Sequence, residues 1–136
     1  MVRKLGDGEA CPCGSGLKFA ACCGQFIARE QLPATAEQLM RSRYCAYVQT
    51  NPSYLRDSWH PSTQPAELLL DDFPAPQWLG LKIVRTSAGR DTDNHGEVEF
   101  VARYKLGGKA FRLHEVSRFV KEEGRWFYLA GEILLS

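Results

Sequence analysis

The stretch that organises this chain is Cys11-Pro12-Cys13-Gly14-Ser15-Gly16-Leu17-Lys18-Phe19-Ala20-Ala21-Cys22-Cys23. Two close cysteine pairs at this spacing can supply four thiolates to one tetrahedral metal ion, and the glycines between them allow the chain to turn back. Four thiolates fill the coordination shell of Zn²⁺ at about 2.3 Å each, so no position stays open for water or substrate. The spacing therefore predicts a structural zinc site with the ligands Cys11, Cys13, Cys22 and Cys23.

The same cysteines admit two other interpretations, a disulfide framework and an iron site. The chain has five cysteines, an odd number, and a disulfide framework would leave Cys45 without a partner. Bridges within Cys11/Cys13 or Cys22/Cys23 would be strained because the residues are too close in sequence. The first 20 residues contain no apolar run of the kind found in secretory signals, so we expect reduced thiols and a cytoplasmic location. Zinc is favoured, with iron as the alternative.

The cysteine segment resembles the SEC-C zinc module, whose pattern is C-x-C-G-S-G, a short basic stretch, and then C-C or C-H. The resemblance implies the four metal ligands already named, with Gly14-Ser15-Gly16 as the turn. Lys18 and Phe19 match the basic and aromatic positions of that pattern. Further lysines often precede the third ligand in the family, but Ala20 and Ala21 stand there in this chain. A strongly basic surface that binds ribosomal RNA or acidic partners is therefore not implied.

Length and charge limit the number of domains and the kinds of partner that the chain can have. The 136 residues suffice for one ordinary core and this small module. We predict a zinc module over residues 1–32 and an α+β domain over residues 33–136, with Pro33 at the boundary. The chain carries 17 Lys and Arg against 16 Asp and Glu, a net charge of +1, so composition gives no case for binding nucleic acid. Its apolar runs are too short to span a bilayer, and no membrane partner is expected.

Three helices are predicted after the zinc module. Thr35 and Gln38 have the spacing of a capping box, which predicts a helix from there to about Val48. Asn51-Pro52 combines a capping residue with a proline at the first helical position and predicts a second, short helix. A third short helix is expected over residues 65–70.

The phase of the first of these helices predicts where three of its side chains point. Arg43 falls inside the apolar arc, which is expected to face the core. Arg41 is expected to project to the opposite, solvated side. Cys45 is expected to point away from the apolar arc as an ordinary small side chain.

The second half of the chain has the pattern of strands. From Trp78 onward, apolar residues alternate with polar ones, and Gly107-Gly108 and Glu123-Gly124 are typical of two-residue hairpin loops. Helices followed by about four antiparallel strands predict an α+β fold in which a curved antiparallel sheet packs against helices. This arrangement resembles the cone of the nuclear-transport-factor-2-like superfamily, which encloses a cavity between helices and sheet.

The two loops also predict a strand register and a candidate pocket. Phe100 should pair with Glu115, and Glu115 should in turn lie beside Glu132 on the next strand. Two adjacent carboxylates are unfavourable unless one is protonated or a cation lies between them, and Arg43 on the covering helix is the candidate cation. The candidate ligand-binding residues are therefore Arg43, Phe100, Glu115 and Glu132. In the alternative that we favour, Glu132 is solvated and Arg43 and Glu115 form a structural ion pair.

Motifs spread over nearly the whole chain resemble the bacterial YchJ-like family. The motifs are Arg41-Ser42-Arg43-Tyr44, Trp59-His60-Pro61, Trp78-Leu79-Gly80-Leu81, His114-Glu115-Val116-Ser117-Arg118-Phe119 and Trp126-Phe127-Tyr128. The resemblance implies a nuclear-transport-factor-2-like domain behind a SEC-C zinc module. It implies an architecture and no particular reaction.

Two classes of function stay open at this point. In the first, the zinc module presents a small rigid surface to a protein or ribosomal partner. In the second, the cone holds a small-molecule ligand or an enzyme site. The sequence shows no nucleophile and base pair, no phosphate-binding glycine loop and no open metal site. We therefore favour an interaction protein over an enzyme.

Overall fold

The computed structural model describes residues 5–68 and 76–134. A 3-10 helix at Phe19–Ala21 precedes three α-helices, which are α1 (Cys23–Ile27), α2 (Ala36–Gln49) and α3 (Pro52–Asp57). Four strands follow, which are β1 (Gln77–Ala88), β2 (His95–Leu106), β3 (Lys109–Glu122) and β4 (Arg125–Ile133). They form one antiparallel sheet in the order β1-β2-β3-β4. The predicted α+β class, with a four-stranded meander packed against helices, is confirmed.

The first two predicted helices begin at their predicted caps. The hydroxyl of Thr35 accepts a hydrogen bond from the amide of Gln38 at 3.1 Å, and the side chain of Gln38 accepts one from the amide of Ala34 at 2.7 Å. The side chain of Asn51 accepts a hydrogen bond from the amide of Tyr54 at 3.2 Å and caps α3. The third predicted helix is not observed over residues 65–68, and its last two positions lie outside the described residues.

The pairing of β2 with β3 follows the predicted register, whereas the pairing of β3 with β4 does not. Phe100 lies opposite Glu115, as the two-residue loop at Gly107-Gly108 predicts. A register shift between Arg118 and Phe119 then places Glu115 opposite Ile133 and Val116 opposite Glu132. The predicted juxtaposition of Glu115 and Glu132 is therefore wrong, because a bulge moves every later pair along by one residue.

Helix α2 covers one face of the sheet, here called the inner face. The largest apolar cluster includes α2 residues such as Leu39 and Tyr44, sheet residues such as Phe119 and Trp126, and all five cysteines. The cysteine segment and the sheet thus pack into one continuous core. The division at residues 32 and 33 stays a prediction. Among the described residues, no helix has the length and apolarity needed to cross a membrane.

Arg43 joins three elements of this core although it carries a charge. Its side chain is 4% exposed, and Nη1 donates hydrogen bonds to the carbonyl oxygen of Leu55 at 2.8 Å and to Oγ of Ser58 at 2.6 Å. The guanidinium carbon lies 4.5 Å from the ring centre of Tyr128 and 5.1 Å from that of Trp59. Hydrogen bonds and cation–π contacts therefore offset the cost of burying the charge, and they connect α2 to α3 and β4.

We expect Arg43→Leu to lower the free energy of unfolding by about 3 kcal/mol, because the substitution leaves buried acceptors on Leu55 and Ser58 without their charged donor. Urea denaturation followed by circular dichroism measures the change. The matched control is Arg118→Leu, which removes an exposed arginine and should change stability by no more than about 0.5 kcal/mol. Equal stability of the two variants would show that Arg43 does not anchor these elements.

Candidate metal centre and pocket

The four predicted metal ligands lie close together in the structure. The sulfur atoms of Cys11, Cys13, Cys22 and Cys23 all lie within 4.8 Å of one another, and all four residues are buried. The Sγ atoms of Cys13 and Cys22 are 3.6 Å apart, and those of Cys22 and Cys23 are 3.9 Å apart. Tetrahedral thiolates at about 2.3 Å from a metal lie about 3.8 Å from each other. The four cysteines thus have the spacing needed to hold a metal ion.

The backbone between the cysteine pairs produces this geometry. The amide of Cys11 donates to the carbonyl of Leu17 at 2.9 Å, within a short antiparallel bridge that pairs Ala10 with Lys18. Gly14 and Gly16 adopt φ angles of 79° and 87°, a left-handed region that favours glycine. The glycine turn therefore reverses the chain, and the following 3-10 helix returns the second cysteine pair to the first.

Arg41 lies against this cysteine segment and does not project into solvent. Its Nη1 donates to the carbonyl oxygen of Cys13 at 2.8 Å and lies 3.7 Å from the sulfur of the same residue. The side chain is 21% exposed and also forms an ion pair with Glu37 at 2.9 Å. The prediction of a solvated Arg41 is wrong because the cysteine segment covers this side of α2. A cation here offsets part of the negative charge of a thiolate cage.

Cys45 also faces the cage, a contact that the prediction of an ordinary small side chain does not include. Its side chain is 0% exposed, and its Sγ lies 3.5 Å from Sγ of Cys11. The prediction places Cys45 away from the apolar arc of α2, and the cysteine segment packs on that side. The signal that sequence reasoning missed is the four-residue spacing of Arg41 and Cys45, which places both side chains on one face of a helix.

Hydrogen bonds among the thiols shift their pKa values in opposite directions. Bonds from Cys11, and then from Cys23 and Cys45, lower the pKa of Cys13. The bonds that Cys23 makes to Cys11 and then to Cys13 raise the pKa of Cys23. Cysteines bind a metal as thiolates, so a divalent cation bound by this cluster would release the thiol protons.

A separate cavity of about 230 Å³ lies between α2 and the inner face of the sheet. Three of the four predicted ligand-binding residues, Arg43, Phe100 and Glu115, line it. Glu132 is exposed and is not among the lining residues, because the bulge in β3 and β4 shifts its position. A pocket with two adjacent carboxylates is therefore not formed.

Glu115 and Arg43 share the cavity without a direct ion pair. Glu115 accepts a hydrogen bond from Oγ of Ser117 at 2.6 Å. In the part of the chain that the structure describes, no ion pair joins Glu115 to Arg43, whose bonds go to Leu55 and Ser58. The predicted ion pair between Arg43 and Glu115 is therefore wrong. Burial lowers the pKa of Arg43, while neighbouring groups, Glu115 among them, oppose that change.

Aromatic rings form much of the cavity wall and continue beyond it. The Trp78 ring contacts the rings of Tyr44, Tyr47 and Tyr104, with centroid separations of 5.8, 5.9 and 5.3 Å. Phe111 stacks on Tyr104 at 5.4 Å and is partly exposed. The cavity wall is thus mostly apolar and aromatic, with the Glu115 carboxylate and the Arg43 guanidinium in its lining.

His114 lies on the outer face of the sheet, opposite Val101, as the predicted register requires. Its Nε2 is 2.6 Å from a carboxylate oxygen of Glu99, and Nε of Arg85 donates to the other oxygen of that carboxylate at 2.9 Å. The hydrogen bond with His114 and the bond from Arg85 lower the pKa of Glu99. His114 therefore belongs to a polar cluster outside the cavity.

Comparison with known proteins gives close relatives along most of the chain. A UPF0225 protein of Chromobacterium violaceum is 53% identical over 133 residues, which cover 96% of this chain and 98% of the relative. A UPF0225 protein of Ralstonia nicotianae is 52% identical over 134 residues, which cover 91% of each chain.

Two solved structures have the same fold. The solution structure of a SEC-C motif containing protein from Rhodopseudomonas palustris matches with a TM-score of 0.79 at 34% identity, over 92% of this chain and 98% of that one. The crystal structure of a SEC-C motif containing protein from Psychrobacter arcticus matches with a TM-score of 0.70 at 27% identity, over 96% and 85%.

Two known family patterns match separate parts of the chain. Residues 9–25 match the SEC-C motif, and residues 35–131 match the description "YchJ, middle NTF2-like domain". The first range contains all four cage cysteines, and the second contains α2, α3 and most of the sheet. This chain belongs to the YchJ family, with a SEC-C motif ahead of a nuclear-transport-factor-2-like domain.

Proposed function

We propose that this protein binds one zinc ion through Cys11, Cys13, Cys22 and Cys23, and that the metal has a structural role. The observation that carries the proposal is a buried set of four sulfur atoms at the spacing of a tetrahedral shell. A cluster of several iron ions needs a wider cage, because its sulfides lie between the metals. Four thiolates also leave no open position for catalysis, and this supports a structural site.

We propose further that the metal-closed segment serves as an interaction module for a protein or ribosomal partner. The turn between the cysteine pairs is exposed, and Leu17 at its tip is 53% exposed beside exposed Lys18. A metal that fixes both ends of this turn would present a small surface at little conformational cost on binding. The nearly neutral charge of the chain argues against nonspecific binding to nucleic acid.

We expect the purified protein to contain one zinc and no stoichiometric iron by elemental analysis. The double variant Cys11→Ser/Cys22→Ser should lose the metal, because two of the four ligands are gone. Its melting temperature should also fall, since structural zinc contributes on the order of 10–16 kcal/mol. Lys18→Ala changes an exposed residue of the same turn, keeps every thiol and should retain the metal. Zinc at full occupancy in the double variant would contradict the proposed ligand set.

A second candidate function is the binding of a small ligand in the cavity between α2 and the sheet. The observation that favours it is the Glu115 carboxylate, which accepts a hydrogen bond from Ser117 and shares the cavity with aromatic rings. Aromatic walls with one negative acceptor suit a small amine that carries an apolar body. Arg43 and Phe100 would shape the same site. The cavity is smaller than the roughly 300–1,000 Å³ of sites for drug-sized molecules, so a small ligand is expected.

For this second function we expect small aromatic amines to raise the melting temperature of the protein, and the matching aromatic carboxylic acids to leave it unchanged. Glu115→Gln should abolish the increase, since it removes the negative acceptor. Glu132→Gln removes a carboxylate that lies outside the cavity and should preserve it. Stabilisation by the acids, or the same response in both variants, would rule out this use of Glu115.

A further inference from the structure

We propose that a basic depression on the outer face of the sheet binds a small phosphate ester, a molecule with a dianionic phosphate group and an apolar body. The depression has a volume of about 480 Å³ and lies across strands β1, β2 and β3. Its positively charged lining residues are Lys82, Arg103 and Arg112, and His114 lines it as well. The proposal depends neither on the metal nor on the cavity under α2.

The strand register brings these side chains together in two rows across the sheet. In one row, Lys82 of β1 pairs with Val101 of β2. In the next row, Gly80 pairs with Arg103, and Arg103 in turn pairs with Arg112 of β3. Residues two positions apart on a strand point to the same face, so both rows lie on the outer face. Three neighbouring strands thus direct cationic side chains to one place.

The centre of the depression is low because its residues are buried or small. Val101 is 7% exposed, and Gly80 has no side chain. A Cβ atom at Gly80 would lie 3.6 Å from Nη2 of Arg103, so the guanidinium extends toward this glycine. Lys82, Arg103 and Arg112 are all exposed. The site therefore combines a low, uncharged floor with charged groups that a ligand from solvent can reach.

The positive charges of this site are not neutralised by the protein. Among the residues that the structure describes, no ion pair includes Lys82, Arg103 or Arg112. The nearest carboxylate along this face of β2, that of Glu99, is engaged by the two bonds described above. Arg103 and Arg112 also lie directly opposite each other, and like charges in that position are unfavourable in an antiparallel sheet. A bound anion would relieve this repulsion.

The groups around the depression favour a phosphate ester as the anion. A guanidinium can donate two parallel hydrogen bonds to one phosphate, and an ammonium group adds a compact positive charge. The volume lies within the roughly 300–1,000 Å³ of small-molecule sites. Val84 lines the depression and is 46% exposed, so it offers an apolar surface beside the cations. A dianionic phosphate with a small apolar body matches both features.

A nucleic acid is a poorer match for this surface. Sheet faces that bind RNA stack the bases on aromatic side chains, and the described lining residues include no Phe, Tyr or Trp. The net charge of the whole chain is only +1, so the attraction for a long polyanion is weak outside this patch. The local cluster of cations therefore favours a compact anion.

The first experiment titrates the full-length protein with phenyl phosphate and follows the Nε–Hε signals of its arginines by NMR. We expect saturable shifts at Arg103 and Arg112 below about 10 mM ligand, and no shift at Arg43, which lines the cavity on the inner face. Inorganic phosphate should move the same signals with lower affinity, because it lacks the apolar body. Phenol should leave them unchanged. Absence of shifts at Arg103 and Arg112, or equal shifts with phenol, would overturn the proposal.

Charge variants test whether these particular arginines hold the phosphate. Arg103→Gln and Arg112→Gln should each weaken phenyl phosphate binding about tenfold, because each removes charge-assisted hydrogen bonds. Lys105→Gln is the matched control, since it removes the same charge from an exposed residue of β2 that is not among the described lining residues. Its affinity should stay within about twofold of the unsubstituted protein. Equal losses in all three variants would indicate general charge attraction and would contradict a defined site.

A change of shape at constant charge separates a built site from a charged surface. Gly80→Val fills the floor of the depression with a side chain and should abolish binding of phenyl phosphate. Gly80→Ala adds only a Cβ atom at an ordinary contact distance from Arg103 and should retain it. Undiminished binding by Gly80→Val would show that charge alone holds the anion.

A final comparison distinguishes the two sources of phosphate. A single-stranded RNA of eight nucleotides should bind no more tightly than phenyl phosphate at the same salt concentration. Tighter binding of the RNA that is lost in Arg103→Gln would replace the small ligand by nucleic acid and overturn the proposal. Zinc content is measured on the same samples, so failure of this site and failure of the proposed metal site are recorded separately.

Discussion

The packing of the cysteine segment against helix α2 is the contact on which the rest of the structure depends. Arg41 binds the carbonyl of Cys13, and one turn later Cys45 lies against Cys11. These contacts cover one side of α2, so the opposite side is left for the sheet. The rotation of the helix is thereby set, and Arg43 is directed over the inner face. A small cage built from 13 residues thus helps to orient the helix that forms one wall of the cavity.

The burial of Arg43 determines the polarity of that cavity. Its donors are engaged by Leu55 and Ser58, and its charged face by the rings of Trp59 and Tyr128. The guanidinium therefore makes its described contacts with these groups and not with the Glu115 carboxylate. The two charges still attract each other across the cavity, where the local dielectric constant is low. Glu115, which accepts a hydrogen bond from Ser117, thus keeps part of its hydrogen-bonding capacity.

The fold was predicted from the sequence where local chemistry determines it. Thr35 with Gln38, and Asn51 ahead of Pro52, mark helix starts because side chains at these positions satisfy free backbone amides. The loop at Gly107-Gly108 fixed the register of β2 against β3, because a two-residue loop permits one pairing. In each case the deciding interactions lie within a few residues of each other.

The errors arose where distant parts of the chain decide the outcome. The bulge after Arg118 has no signature in the local sequence, because it depends on the curvature of the whole sheet. It shifts the pairing of β3 with β4 and places Glu132 outside the cavity. The single apolar arc inferred for α2 was wrong for a related reason. The helix is covered on two sides, so Ser42 and Cys45 are buried as well as Arg43. A single apolar stripe is typical of a helix at the protein surface. It does not describe a helix that is buried between two layers of structure.

The two-sided burial of α2 also bears on how the candidate sites relate to each other. Arg41 and Cys45 face the cysteine cage, while Arg43, Tyr44 and Tyr47 face the cavity, and these residues alternate along two turns of one helix. Side chains in a close-packed interior do not move independently, so a change at the cage that shifts or rotates α2 alters the cavity wall as well. The cysteine cage, which looks remote from the cavity in sequence, is therefore one helix away from it in the structure. This connection would give a metal bound at the cage a route by which it could affect the shape of the cavity.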